Sequence, residues 1–485
     1  MELYLITPIF AVVLAISALG GMQRLLLLVA AFIPFGMLAV IGLPAIGGLS
    51  LLAVYVAAAA LIAGGCLVLA GRLLRGASVT VVPATLALLL YAGYSIFSAT
   101  VLVRLFAGEM MVFSLTRDDT GVRVSTMFSW GKIWLNPSSS NISQTFYIVL
   151  ACSLFIAIAY VLSRRGADFG VRCLALAATV NLVLGVMDLA ALDALLDIVR
   201  TANYSLANEA SVHGIPRVIG GYSEAASFGS ASAMFFAYFA SAFTYSGRFK
   251  DGALAFGNGA FALLALSATG IIALAVVFSL LSLRVLLSPP QRISRMRLFL
   301  LAIGLAAVAI AVAATLTLTD APDAIAAIIQ DLIFDKSQSS SGLERTAWAM
   351  GGLEALRDTW GLGAGAGSLR SNGLPFVLLG SVGIPGTAAF VAFLWLAFGG
   401  RVADGESAGE RAAILSNSRL AALAVLVSML LAATVSDPGV PLMLLAALAV
   451  SARQPQPAVK DSEANPASRA VLAVDTSSVP GDPAF

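Results

Sequence analysis

Charge is scarce in this sequence. Lysine, arginine, aspartate and glutamate make up 11% of 485 residues, where a soluble globular domain carries about 25%. Mean hydropathy is +0.95. A surface so short of charge cannot be mainly wetted. Histidine is almost missing: His213 stands alone, which excludes a site built from several imidazoles, and a loop histidine of this kind is a weak candidate catalyst. The three cysteines, Cys66, Cys152 and Cys173, fall in apolar stretches with no C-x-x-C pair. Neither a disulfide framework nor a cysteine metal site is supported. A net charge of +2 is too small to point to nucleic acid. The first residues lack a basic n-region and an A-x-A site, so 3–19 is expected to be a retained span and not a cleaved signal.

Long apolar runs are what the chain has in abundance. They recur at 3–19, 25–43, 49–70, 80–105, 145–162, 171–190, 229–246, 253–267, 270–287, 298–317, 376–397, 418–434 and 439–451. Roughly 20 apolar residues let a helix cross the hydrocarbon core, and in lipid such a run must satisfy its own backbone as a helix. The expected fold is therefore an all-α polytopic membrane protein with about 13 transmembrane helices. One ambiguity stays open: 253–287 reads either as two helices joined near Ser267-Ala268-Thr269-Gly270 or as one long helix.

Lysine and arginine in short loops set orientation. Arg72 and Arg75, Arg164 and Arg165, Arg248 and Lys250, Arg292, Arg295 and Arg297, and Arg401 and Arg411 fall on one side, which is expected to be cytoplasmic. Three long loops, 106–144, 191–228 and 318–375, then lie outside. The membrane domain spans 1–451 with those loops. The tail, 452–485, is rich in Pro, Ala, Ser and Asp, cannot bury a core, and is expected to be disordered and cytoplasmic. Segments 320–336 and 191–200 repeat apolar residues at helical spacing; they read either as interfacial helices roofing a cavity or as ordinary packing against the bundle.

Two loop clusters carry candidate chemistry. In the third loop, 343–358 reads as one helix of mixed polarity followed by Gly361, Gly363, Gly365 and Gly367, which allow positive φ and close backbone approach. Arg345 sits near the start of that helix and Arg370 just past the glycines. Guanidinium forks match phosphate oxygens; the competing reading is that these arginines reach lipid headgroups. In the middle loop, Arg217 precedes Gly220 and Gly221, and Tyr222, Ser223 and Glu224 stand at the mouth of the next span. A carboxylate at a span entrance is costly without a role or a partner. Desolvation there would favour its protonated form and suit a general base; the alternative is a structural pair with a nearby arginine.

These pieces resemble the O-antigen ligase and polymerase superfamily. The resemblance rests on Arg217-x-x-Gly-Gly-Tyr222-x-Glu224, the Ser267-to-Gly270 turn, Ser341-Gly-Leu-Glu-Arg345-x-x-Trp348, Trp360-Gly-Leu-Gly-x-Gly-x-Gly, Asn372, and Gly383-Ile-Pro-Gly386. It covers roughly 200–400; the amino-terminal spans match only in hydropathy. The resemblance implies undecaprenyl-pyrophosphate-linked glycans as donor and acceptor, a GT-C-like architecture with outer loops forming a catalytic cap, and a site on the outer face of a bacterial inner membrane. It also implies arginines in place of a metal, with no cofactor; membrane lipids and a chain-length regulator are the further partners it allows. Arg217 and Arg345 match the family's outer-loop arginines. The ligase pattern has a histidine a dozen residues before a glycine, and Asn372 stands at that distance from Gly383. That departure favours a polymerase, with Glu224 as the base.

On this reading Arg217 and Arg345 neutralise the leaving pyrophosphate, Glu224 takes the proton of the incoming hydroxyl, and Arg370 is a second phosphate contact. Tyr222, Trp348 and Trp360 are candidate sugar-stacking surfaces, and Asn372, Gly363 and Gly365 complete the substrate-binding set. The rivals are an O-antigen ligase moving finished polymer to a lipid A core, a flippase or transporter of lipid-linked glycan, and a structural scaffold. Transporters usually show inverted repeats and broken helices at mid-membrane, whereas the polar interest here lies in loops.

Overall fold

The computed structural model describes residues 2–43, 49–76, 81–115, 131–202, 211–212, 215–289, 294–318, 340–405 and 407–454. The segment 320–336, most of the tail and His213 lie outside the described residues, within which everything below is stated. The helices are α1 (Thr7–Leu19), α2 (Met22–Phe32), α3 (Ala53–Leu74), α4 (Pro83–Leu105), α5 (Ser139–Arg165), α6 (Ala167–Leu189), α7 (Ala225–Ser246), α8 (Phe249–Leu264), α9 (Ala268–Leu287), α10 (Arg295–Leu318), α11 (Ser340–Asp358), α12 (Leu374–Phe398), α13 (Ala408–Ala432) and α14 (Val440–Arg453). Nine of the described helices, α3 to α7, α9, α10, α12 and α13, are long and apolar enough to cross a membrane. This is a mostly helical, multi-pass membrane protein. The remaining apolar runs form shorter helices: α1, α2 and α14 have 13, 11 and 14 residues and α8 has 16.

The chain departs from an all-helical reading at its beginning. The run 25–43 is helical only to Phe32; Pro34 cannot continue the helix, and the chain re-emerges as strand β2 (Ala39–Leu43) between β1 (Glu2–Leu3) and β3 (Leu49–Leu52), all antiparallel. A short continuous apolar run cannot be told from a buried strand by periodicity. Two further hairpins are small: β4 (Met111–Phe113) with β5 (Lys132–Trp134), and β6 (Ser211–Val212) with β7 (Ile215–Pro216). The run 191–200 holds a single helical turn, Asp193–Leu196. Its Leu196 is buried while Leu192 and Leu195 remain exposed.

α7 and α14 form the centre of the bundle. α7 packs on α8, α9 and α13 and buries Phe228, Phe235, Phe236 and Phe239 completely or nearly so. α14 is buried over almost its whole length. At 14 residues it rises only about 21 Å, short of the ~30 Å hydrocarbon core. A cavity lined in part by Gly439, Val440 and Pro441 lies at its amino terminus.

The 253–287 run is two helices. Leu266 adopts φ +45° and Ser267 is extended, which breaks α8 from α9. The break brings Gly270 against Gly229 of α7: a β-carbon added at Gly270 would lie 2.9 Å from the Gly229 Cα. Small residues let two helix backbones meet in this way. Gly270→Leu should lower the stability of the purified protein by about 1–3 kcal/mol, the usual cost of overpacking, measured by thermal or denaturant unfolding. An unchanged midpoint would contradict this contact.

Candidate functional site

A cavity of about 700 Å³ opens at one end of the bundle. Its walls come from the first turns of α3 and α7, the start of α11, the loop before α12, the last turns of α13 and the amino terminus of α14. The Lys/Arg-rich loops are at the other ends of these helices: Arg72 ends α3, Arg248 follows α7, Arg401 follows α12, Arg411 begins α13 and Arg453 ends α14. The lining divides by chemistry. Ile33, Leu52, Met234, Val425 and Met429 make an apolar interior, while Glu224, Glu344, Arg345, Arg370 and Asn372 supply the polar groups.

Six residues singled out in the sequence meet here: Tyr222, Glu224, Arg345, Trp348, Arg370 and Asn372. Glu224 is the N-cap residue of α7 and is exposed at the cavity. It is therefore not desolvated in the way its place at a span entrance suggested. The preceding turn is braced from two sides. The Asp188 carboxylate accepts hydrogen bonds from the amides of Ile219 (2.6 Å) and Gly220 (3.0 Å) and pairs with Arg200 at 2.5 Å. Arg200 in turn donates from Nε to the Gly220 carbonyl (2.9 Å). On the other side Gly221 packs on the 34–37 turn; a β-carbon there would meet the Pro34 carbonyl oxygen at 2.5 Å. The glycine pair is needed for that approach and for the positive φ of Gly220 (+55°).

Arg370 is anchored by main-chain and aromatic contacts. Its amide donates to the Phe113 carbonyl of β4 (2.8 Å), its Nη2 donates to the Leu115 carbonyl (3.4 Å), and its guanidinium lies 4.9 Å over the Trp348 ring. Burial pulls this guanidinium below its usual pKa, and the Glu344 and Glu224 carboxylates pull it back up. It is a desolvated cation within electrostatic reach of two carboxylates. Arg345, in the second turn of α11, is half-buried, and among the described residues no carboxylate lies within ion-pair distance of it. A salt bridge of 2.6 Å between Lys132 of β5 and Glu354 ties α11 to the β4–β5 hairpin. Asn372 donates from Nδ2 to the Leu431 carbonyl (3.4 Å).

Several sequence expectations do not meet the cavity. Arg217 is not part of its lining; its Nε donates to the Ala265 carbonyl after α8 (3.3 Å). Gly363 and Gly365, expected in the substrate-binding set, are not part of this lining either. The amides of 363, 364, 365 and 366 are already taken by Thr359 Oγ1, the Gly380 carbonyl, the Ser381 carbonyl and Ser98 Oγ. These glycines are required because the run threads between α12, α4 and α5: a β-carbon at Gly363 would lie 2.5 Å from the Gly383 amide, and one at Gly365 2.9 Å from the Ser98 carbonyl. The stacking roles shift as well. The Trp348 face carries Arg370, the Tyr222 ring packs on Gly36 and Phe228, and Trp360 is 84% exposed with its neighbour Phe106 edge-on. Burial pushes the Tyr222 phenol up, so it stays neutral.

Two contributors were missed. Glu344 lines the cavity one residue before Arg345; its place in the same helical turn was the available signal. The Asp188–Arg200 brace joins two residues 12 apart in sequence, and only the position of Asp188 at a span end hinted at it. Set against known proteins, the chain matches no family model and no curated protein. Fold and cavity together define its class as a helical membrane protein with a charged chamber at one end of the bundle.

The turn from α13 to α14 closes one side of this chamber through Thr434 and Gly439. It carries Asp437, whose Oδ1 accepts the Gly439 amide at 3.0 Å. Burial pushes the Asp437 carboxyl up to about 6, and the Gly439 hydrogen bond offsets part of that. A carboxyl raised above its unfolded value of roughly 3.9 stabilises the fold fully below that value, and the contribution is lost as pH rises through about 6. Asp437→Asn should therefore match wild type in unfolding temperature near pH 4 and exceed it above pH ~6. Parallel unfolding curves at both pH values would remove Asp437 from the account.

Proposed function

We propose that the chain is a lipid-linked polysaccharide polymerase of the O-antigen ligase and polymerase type, joining undecaprenyl-pyrophosphate-linked repeat units on the outer face of a bacterial inner membrane. The observation that supports this most is one chamber, opposite the basic loops, in which Arg345 and Arg370 stand beside Glu224 and Glu344 over an apolar interior. Basic loops mark the cytoplasmic side, so the chamber faces outward. Arginine forks suit a diphosphate, and the apolar walls suit the lipid that carries it.

The reaction breaks the bond from the donor's anomeric carbon to its pyrophosphate oxygen. It forms a bond from that carbon to a hydroxyl oxygen of the acceptor. Negative charge grows on the departing lipid pyrophosphate, and fixed cations placed where charge develops are the main source of rate. Arg370 takes the part first expected of Arg217, since it and Arg345 share the chamber. The acceptor's proton goes to Glu224, whose exposure leaves it open to an incoming sugar. Position 372 supports a polymerase over a ligase: an asparagine amide lines the chamber there, where the ligase pattern calls for an imidazole.

The test is purified protein in lipid with lipid-linked repeat units and no ATP. Lengthened glycans support the polymerase; transfer to lipid A means a ligase, and movement across the bilayer without new glycosidic bonds means a flippase. Arg345→Ala should insert normally yet extend chains about 10²–10³-fold more slowly; wild-type polymer length from it removes Arg345 from the reaction. Glu224→Gln should slow extension ~10²–10⁴-fold while repeat units still bind. Normal turnover in that variant would reassign the base, with Glu344 next in line.

A further inference from the structure

Three loop segments, far apart in sequence, are tied into one ring beside the chamber wall. Arg200 donates twice to the Gly220 carbonyl, from Nε at 2.9 Å and from Nη2 at 2.6 Å, and pairs with Asp188. The residues that follow it hold the third segment. The amides of Thr201 and Ala202 donate to the Met37 carbonyl (3.0 and 2.8 Å). Thr201 Oγ1 donates to the Ala39 carbonyl (2.8 Å) and accepts from the Ala39 amide (3.0 Å). The Met37 amide closes the ring by donating to the Gly221 carbonyl at 3.0 Å. Gly36 and Tyr222, which belong to two of the joined segments, both line the chamber.

Stability alone is a weak reason for an ion pair in this ring. The Arg200 and Asp188 side chains are 14% and 10% exposed, and a buried pair often adds nothing over apolar residues of similar volume. Asp188 is also the next-to-last residue of α6, where the helix dipole disfavours a carboxylate. What the pair fixes is the main chain at 219–220. The carboxylate takes both amides, and the guanidinium takes the Gly220 carbonyl. Glu224 follows that turn and is exposed at the chamber. Its carboxylate makes no capping hydrogen bond on α7 and no ion pair among the described residues. Its place is therefore set by the backbone that leads into it.

We infer that Asp188 and Arg200 are positioning residues for Glu224: they hold the turn before α7 so that this carboxylate stands in the chamber shared with Arg345 and Arg370. The role of Glu224 as base rests on the polymerase reading; its placement by the pair does not.

Two assays on the full chain in lipid separate the two. The first is extension of lipid-linked repeat units by wild type and by Arg200→Lys, which keeps the charge and loses the planar fork on Gly220. A misplacement of about 1 Å costs on the order of 10²-fold, so kcat should fall by roughly that factor with KM nearly unchanged, the mark of a group needed in the transition state and not for binding. Full activity, or a raised KM at unchanged kcat, overturns the inference. The second assay needs no turnover. With Cys66, the exposed native cysteine, replaced by alanine, a membrane-impermeant maleimide is timed on Glu224→Cys and on Arg345→Cys. Adding Arg200→Lys should change the labelling rate several-fold at 224 and leave it unchanged at 345. No change at 224, or an equal change at both positions, overturns the inference, the latter because it reports general loosening. If wild type extends no chains while the label at 224 alone responds, the polymerase reading fails and the positioning stands. If Arg200→Lys does not fold, Asp188→Asn, which keeps the shape and one acceptor oxygen, takes its place in both assays with the same expected results.

Discussion

Main chain locked to main chain between the 361–367 run and α12 is the contact on which the chamber depends. Ala364 and Gly365 donate to the carbonyls of Gly380 and Ser381, and the Ile384 amide donates back to the Gly361 carbonyl. The interlock is possible because α12 is kinked at Gly383 (φ +60°) ahead of Pro385, which leaves its carbonyls and amide without intrahelical partners. Side chains would block it, so the run is glycine at each alternate position. One consequence is geometric. The segment after α11 is fixed to the 380–384 part of α12, and Arg370 follows directly on that segment. Ser371 adds a further tie by donating to the Trp348 carbonyl at 3.1 Å.

Several of the charged groups among the described residues are met by main-chain or aromatic support. Arg370 has the Leu115 carbonyl behind it and the Trp348 face beneath it. Arg200 has Asp188 and the Gly220 carbonyl. Arg411, Arg419 and Arg453, at the far end, have the carbonyls of Gln454, Phe398 and Gly399. In each case a main-chain carbonyl in a loop or at a helix end holds a guanidinium. Arg345 makes no ion pair among the described residues, and the proposed mechanism assigns its charge, together with that of Arg370, to substrate.

The membrane character and most helix positions were legible in the sequence, because a long apolar run has only one way to satisfy its backbone in lipid. The strand at 39–43 was not, since a short apolar run has no distinguishing period. The candidate site was legible in part. Residues 222, 224, 345, 348, 370 and 372 were marked by residue type near span ends, and they share a cavity. Arg217 was marked by the same rule and stands elsewhere, against Ala265. The glycines at 363 and 365 were marked for their flexibility, yet they serve close packing, a distinction that depends on which backbone lies opposite. Spacing along a chain reports which residues can share a turn; it does not report which of two loops closes over a chamber.

A structure of the protein with a polyprenyl-pyrophosphate-linked sugar tests the central claim most directly. Diphosphate density is expected between the guanidiniums of Arg345 and Arg370, with the polyprenyl chain running past Met234 and Met429. Diphosphate held away from that pair, for example beside Arg217, with the chamber empty of ligand, would contradict it.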